Sequence, residues 1–161
     1  MSRDFSIRRA DSEDVTALCD MYVSMYDEYA VKGIDLPFSL NTETLPNHLG
    51  TQVRSKFCGV FLAETPDGRV FGMINCTLLR LERKFRQEGF TGYISELFIV
   101  PWMRRSGAAA ALYETAEKWL CEYDATLIKI EVLSGNEDGF AFWQKQGFSE
   151  GMRTFFKEPE N

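Results

Sequence analysis

The stretch of this 161-residue chain best suited to chemistry is Tyr93–Leu120, YISELFIVPWMRRSGAAAALYETAEKWL. It reads as an apolar strand, a proline stop, two arginines, a run of small residues and a helix. The first N–H groups of a helix have no partner inside it and carry the positive end of its dipole. A phosphate can settle there if the backbone is bare enough to approach. Gly107, Ala108 and Ala109 keep it bare, and Gly107 also accepts a tight turn. Arg104 and Arg105 add guanidinium charge suited to phosphate oxygens, and Ser106 lies between them and the glycine. The same run also suits an ordinary strand–turn–helix with small residues for close packing.

Other residues stand out by type and place. Glu96 puts a carboxylate on an otherwise apolar strand, which points to a base, a substrate contact or a charge satisfied by Arg or Tyr neighbours. Asp27, Glu28 and Asp35 are interleaved with Tyr22, Met25, Tyr26 and Tyr29. Carboxylates beside aromatics suit an ammonium ligand, although aromatics at helical spacing also suit a core. Arg80, Arg83, Lys84 and Arg86 form a basic stretch that either solvates a loop or holds a carboxylate. Trp102 and Met103 are apolar where a polar loop is expected, and read as a dimer contact or a lid.

Two segments resemble motifs of the GNAT superfamily of N-acetyltransferases. Glu96-Leu97-Phe98-Ile99, Pro101 and Arg104-Arg105-Ser106-Gly107-Ala108-Ala109 resemble its motif A. Asn136, followed by Phe142-Trp143-Gln144-Lys145-Gln146-Gly147-Phe148, resembles its motif B. The resemblance runs from about Phe5 to Phe156 and implies acetyl-CoA, or another acyl-CoA, as co-substrate. It implies that the N–H groups of about Arg105 to Ala109 hold the pyrophosphate, with Arg104 nearby. Backbone around Leu97, Phe98 and Ile99 would bind the pantetheine arm as an added strand. The Ile99 N–H would stabilise the thioester oxygen as it gains charge. Asn136 would contact the same arm, or cap a helix. Phe142 and Trp143 would pack against the arm or the thioester.

The implied reaction is direct acetyl transfer to a primary amine, of a small molecule or a peptide. Such an amine is mostly protonated at neutral pH, so a base is useful, and Glu96 is the residue expected to serve. Tyr26 and Tyr29 are expected on the acceptor side with Glu96. The family's usual acid is a tyrosine at the position where this chain has Trp143, whose indole N–H cannot supply a proton. Tyr113, Tyr26 and Tyr93 are the tyrosines that can replace it, Tyr113 being one turn into the phosphate helix.

The elements that must position these groups follow from periodicity. Phe5–Arg9 alternates as a strand, and Asp11 or Ser12 caps a helix carrying Val15, Leu18, Tyr22, Met25, Tyr26 and Tyr29 on one face. A second helix is expected over about Thr42–Arg54, then strands Phe57–Glu64 and Val70–Leu81 joined by Pro66-Asp67-Gly68-Arg69. The charged stretch Glu82–Glu88 leads to a strand over Tyr93–Val100. After Gly107 a helix turns Ala108, Leu112, Thr115, Ala116 and Trp119 to the sheet. A strand over Leu127–Leu133, a helix over Glu137–Gln146 stopped by Gly147, and a last strand over Phe148–Phe156 complete the order. The expected fold is α/β with a mixed sheet, GNAT-like, in the order β-α-α-β-β-β-α-β-α-β, as one domain over residues 1–161.

Composition narrows the partners. Net charge is −6, which argues against nucleic acid. The N-terminus has no apolar leader, and no run reaches the length of a membrane span. Cys19, Cys58, Cys76 and Cys121 form no Cys-x-x-Cys pair and His48 is the lone histidine, so no metal is expected. Four small core thiols fit a reducing cytoplasm. Gly-x-Gly-x-x-Gly and Gly-x-x-x-x-Gly-Lys-Ser/Thr are absent, which disfavours an unrelated nucleotide-binding enzyme. Two readings lead: an acetyl-CoA-dependent N-acetyltransferase, and an acyl-CoA binder with little catalysis because of Trp143.

Overall fold

The computed structural model describes residues 4–80 and 89–160. Five strands form one sheet in sequential order: β1 Ser6–Arg9, β2 Cys58–Glu64, β3 Val70–Arg80, β4 Phe90–Ile99 and β5 Ala125–Ile130. The first four pair antiparallel, and β4 pairs parallel with β5. Helices α1 Val15–Val31 and α2 Leu45–Arg54 precede β2; α3 Ala108–Glu122 crosses from β4 to β5; α4 Glu137–Lys145 follows. A parallel pair needs such a crossover.

Both faces of the sheet are covered, which is why β2 and β3 are apolar almost without interruption. On one face Phe61, Ile74, Cys76, Ile94 and Ile99 pack with Leu112, Ala116, Trp119 and Leu120 of α3 and with Trp143 of α4. On the other, Val60, Leu62, Met73 and Phe98 pack with Leu18, Met21, Tyr22 and Met25 of α1 and Leu49 of α2. The entry to α1 is a capping box in which Asp11 accepts from Glu13 N while Asp14 accepts from Asp11 N. Arg8 bonds Asp14 through both terminal nitrogens at 2.8 Å and Glu64 through Nε at 2.8 Å, tying β1 to this turn and to β2.

The mixed α/β fold expected from the sequence is present, with four corrections. Residues 148–156 do not form the expected last strand; they carry no regular structure, and all of 149–156 is exposed. β5 stops at Ile130 rather than Leu133, because its pairing with β4 ends at Ile94↔Ile130. β4 begins at Phe90, three residues early, where β3 still provides a partner. Cys121 is exposed on α3, so only Cys58 and Cys76 are buried core thiols. Glu82–Glu88 and Leu81 lie outside the described residues.

Candidate functional site

The register of β4 against β3 contains one irregularity, between Asn75↔Glu96 and Cys76↔Ile94, which leaves Ser95 as an extra residue. Ile94 and Ile99 face α3, while Phe98 faces α1. Simple alternation would put residues 94 and 99 on opposite faces; the bulge restores them to one face. It also turns Glu96 toward α1. Beyond the bulge β4 and β5 part, since β5 has no partner residue for Ser95–Ile99. Val100 N donates to Phe71 O at 2.9 Å on the β3 side. By the alternation of an antiparallel ladder, the N–H groups of Leu97 and Ile99 face the opposite way, into the gap. Phe98 instead directs its ring into the core beneath α1.

Gly72 sits directly under this segment. A Cβ there would lie 2.5 Å from Ile99 Cδ1 and 3.3 Å from the Phe98 carbonyl oxygen. The glycine is what lets Ile99 occupy its place.

Glu96 accepts a hydrogen bond from Tyr22 Oη at 2.7 Å and a short one from Ser95 Oγ. Tyr22 Oη in turn accepts from Asn75 Nδ2 at 3.0 Å, and Asn75 Nδ2 also donates to Gln52 Oε1 at 2.6 Å. Burial pushes the Glu96 carboxyl above its ordinary value; the bonds from Ser95 and Tyr22 and the charge of His48 oppose it without cancelling it. Burial and the neighbouring carboxylate push Tyr22 well up, so it stays a proton-bearing donor. Of this network the sequence reading had Tyr22 and Glu96 but missed Ser95, Asn75 and Gln52. Asn75 carried a signal: it is an amide inside the apolar run Val70–Leu79.

Tyr26 is half-buried and lies near enough to Glu96 for that charge to raise its hydroxyl, after burial. Its ring meets Tyr29 edge-on at 6.4 Å. Tyr26 also lines a cleft of about 630 Å³ with Asp27, Ile34, Asp35 and Phe38. Tyr29 is half-buried behind Tyr26. The cleft therefore adjoins Glu96 through one aromatic ring.

The turn into α3 leaves its backbone open. Arg105 and Gly107 have φ of +62° and +87°, and Gly107 has open space where a Cβ would stand. Ser106 Oγ accepts from Ala108 N at 3.3 Å. Among the described residues, the N–H groups of Arg105, Ser106, Gly107, Ala109 and Ala110 meet no protein acceptor. Successive free N–H groups in such a concave turn suit an anion. Arg105 is exposed beside them. Arg104 is exposed too, but engaged: its Nε donates to Ile99 O at 3.0 Å and its terminal nitrogens to Glu28 at 2.8 and 2.5 Å. That guanidinium, helped by Lys32, holds the Glu28 carboxyl down at about 2. Arg104 thus braces the end of β4 against α1, where the sequence reading had it beside a phosphate.

Phe142, Trp143 and Phe148 pack into the core on the α3 side of the sheet. Asn136 caps α4, its Oδ1 accepting from Gly139 N at 3.1 Å. Phe142 packs on Trp143, and Trp143 is buried against Tyr113 and Phe148. Tyr113 donates to Glu117 Oε1 at 2.9 Å, one turn further along α3, and burial raises its hydroxyl. Tyr93 donates to Glu131 at 3.3 Å and is pushed up to about 12, chiefly by burial. Trp102 is half-exposed, with its ring against Phe71 and the Arg69 guanidinium over it at 4.6 Å. Met103 packs on the α3-side core. Arg80 is exposed at the end of β3, while Arg83, Lys84 and Arg86 lie outside the described residues. Among the described residues no cluster of acids, histidines or cysteines can hold a metal, and no helix is long and apolar enough to cross a membrane.

Comparison with known proteins places this geometry. The model of the acetyltransferase (GNAT) family matches residues 25–148. No curated protein matches the sequence. Among solved structures, a single-site mutant of the BH1408 protein from Bacillus halodurans superposes with a TM-score of 0.82 at 17% identity, over 96% of this chain and 99% of that one. The aminoglycoside 6'-N-acetyltransferase AAC(6')-Ih from Acinetobacter baumannii gives 0.76 at 16% identity, over 98% and 99%. AAC(6')-Iy, solved with a bisubstrate analogue joining CoA to monomethyl-acetylneamine, gives 0.77 at 14% identity, over 98% and 99%. A sheet that opens beside a bare helix N-terminus, and a family match spanning both segments that form it, make this chain a member of the GNAT acetyltransferase family.

Proposed function

We propose that this chain is an N-acetyltransferase that passes the acetyl group of acetyl-CoA directly to a primary amine on a small cationic acceptor. The observation that carries the reading is Glu96: a carboxylate of raised pKa, held by two donors, at the mouth of the β4–β5 gap and next to the cleft containing Asp27 and Asp35. Solved relatives of the same fold are aminoglycoside acetyltransferases, one of them bound to a CoA adduct, which supports both the co-substrate and the class of acceptor.

The residues present fit acetyl-CoA. The open N–H groups of Arg105, Ser106, Gly107, Ala109 and Ala110 and the bare Gly107 suit its pyrophosphate. The free N–H groups of Leu97 and Ile99 suit an extended amide arm. Asn136 keeps its Nδ2 available while its Oδ1 caps α4. Acetyl-CoA supplies an activated thioester. Asp27 and Asp35 attract the ammonium group of the acceptor, and Tyr26 gives it an aromatic wall. Glu96 takes the proton that makes the amine nucleophilic. A raised pKa brings its basicity closer to neutral pH, where a base is most effective. Ile99 N–H is fixed to receive charge developing on the carbonyl oxygen, a contribution of about 3 kcal/mol for such donors. Trp143 cannot protonate the leaving sulfur and Tyr113 is committed to Glu117. A thiol with pKa of about 8.5 leaves as thiolate without a dedicated acid.

A second reading, an acyl-CoA-binding protein with little turnover, draws on Trp143 at the tyrosine position. One experiment separates them. Acetyl-CoA at about 100 times its dissociation constant should stabilise the protein by about 2.7 kcal/mol, read as a melting shift that NADH does not produce. CoA release is then followed with a panel of aminosugars and polyamines. Stabilisation with release supports the enzyme; stabilisation without release from any amine supports the binder; no stabilisation removes both.

A further inference from the structure

We infer, on the reading of Glu96 as the base, that Asn75 is a positioning residue for it: by turning the Tyr22 hydrogen onto Oε2 of Glu96, Asn75 leaves Oε1 as the atom that takes the proton of the acceptor amine. Asn75 stands opposite Glu96 on β3, at the edge of the bulge. It is 1% exposed, among neighbours Met73, Ile74 and Cys76 that are fully buried. An amide is costly at such a place unless its hydrogens find partners. Both Nδ2 hydrogens do, one on Tyr22 Oη at 3.0 Å and one on Gln52 Oε1 of α2 at 2.6 Å.

What Asn75 supplies is direction. An amide nitrogen donates and never accepts, and a phenol has one hydrogen. Tyr22 therefore cannot aim its hydrogen at Asn75 Nδ2, and Glu96 Oε2, 2.7 Å away, is the acceptor left to it. Ser95 Oγ donates to the same Oε2. Among the described residues, both side-chain hydrogens that reach this carboxylate land on one oxygen. Oε1 meets no donor there and, unlike the unpartnered Asn75 Oδ1, is not a fully buried atom.

A proton arriving at Oε2 would meet two hydrogens already pointed at it; at Oε1 it meets none. The acceptor's ammonium group thus gives its proton to Oε1, and the electron pair of that N–H bond stays on nitrogen as the lone pair that attacks. Oε2 keeps its donors throughout, so neither Tyr22 nor Ser95 has to rotate during turnover. The reversed polarity, with both amides turned over, would have Tyr22 donate to Asn75 Oδ1 and would take that donor from Glu96. Besides Tyr22, the titratable groups whose charge bears on Glu96 are Tyr26 and Tyr29 of α1, His48 of α2 and Tyr93 of β4; among the described residues none of these bonds it.

Neutron diffraction from deuterated crystals of the full chain tests this. Above the Glu96 midpoint, the Tyr22 deuterium should point to Oε2 and the ND₂ group of Asn75 should face Tyr22. Below it, the carboxyl deuterium should sit on Oε1. Deuterium on Oε2, or a Tyr22 deuterium aimed at Asn75, overturns the proposal. Carboxyl carbon NMR of Glu96 against pH gives a second reading in solution. Asn75→Leu should raise the Glu96 midpoint by about 10–30% of the shift that Tyr22→Phe produces, since neighbouring bonds in a chain strengthen one another by about that much. It should add nothing in the Tyr22→Phe background. The same shift in both backgrounds, as a merely structural effect would give, or no shift in either, also overturns the role of Asn75. Neither measurement needs turnover. An inert protein with this arrangement refutes acetyl transfer alone, and an active one with the reversed polarity refutes the role of Asn75 alone.

Discussion

Replacing Tyr22 with phenylalanine tests the electrostatics of the site with the least disturbance to packing. The ring stays in the core beside Leu18 and Met25, and only the hydroxyl that donates to Glu96 at 2.7 Å is lost. A hydrogen bond to a charged group is worth about 1.5–3 kcal/mol. At 1.36 kcal/mol per pKa unit, that is an upward shift of about 1–2 units in the Glu96 carboxyl. The sign follows from which form the donor favours. Tyr22 stabilises the ionised carboxylate, so its removal raises a pKa that burial has already raised. Ser95 still donates, which limits the change. The assay is kcat/KM for CoA release against pH, with the best amine found in the panel. The acid limb should move up by about 1–2 units while the alkaline plateau stays near the wild-type level. Activity on the acid limb therefore falls, and raising the pH restores it. An acid limb that stays in place, or moves down, refutes the assignment of Glu96 as the base.

Glu96→Gln should lower kcat by about 10²–10⁴-fold and leave acetyl-CoA affinity, measured by calorimetry, unchanged. Gly72→Ala should destabilise by about 1–3 kcal/mol in urea unfolding, since the added methyl overlaps Ile99 Cδ1, and should lower kcat as Ile99 is displaced. Glu28, held down at about 2 by Arg104, contributes stability that is complete above its unfolded pKa near 4.5 and is lost as pH falls toward 2. The pair is partly exposed, so Glu28→Gln should cost no more than about 1 kcal/mol at neutral pH and should flatten the acid side of the stability–pH curve. Trp143→Tyr should leave kcat within about tenfold, because the leaving thiol needs little help; a larger gain would show that protonation limits the wild type.

The order of elements was legible because each apolar face has a clear period, and the bare turn at Gly107 because few residue types tolerate it. What escaped the sequence depends on partners far away in the chain. Phe148–Phe156 reads as a last strand by its place after a helix, but whether a strand forms depends on a sheet edge to receive it, and none does among the described residues. Arg104 announces charge, but Glu28, on a helix 76 residues earlier, decides where the charge goes. The bulge leaves no local mark: Ser95 is an ordinary residue in an apolar strand, and its role is visible only once Asn75 and Cys76 are seen to face Glu96 and Ile94. Asn75 itself was readable, as an amide in a stretch where nothing polar belongs.

That single extra residue makes the location of the acid a matter of register. Ile94 and Glu96 already face consecutive residues of β3, so deleting Ser95 would leave a regular ladder with Ile94 toward α3 and Glu96 still toward α1. What would go is the hydroxyl that bonds the carboxylate and the local bend that a bulge imposes. The pairing to be avoided is the one in which Ser95 is kept in step: alternation would then carry Glu96 to the α3 side, among Leu112 and Ala116, with no hydroxyl to meet it. A slip of one residue in β4 thus moves the carboxylate from one compartment of the protein to the other, whatever the residues on either side.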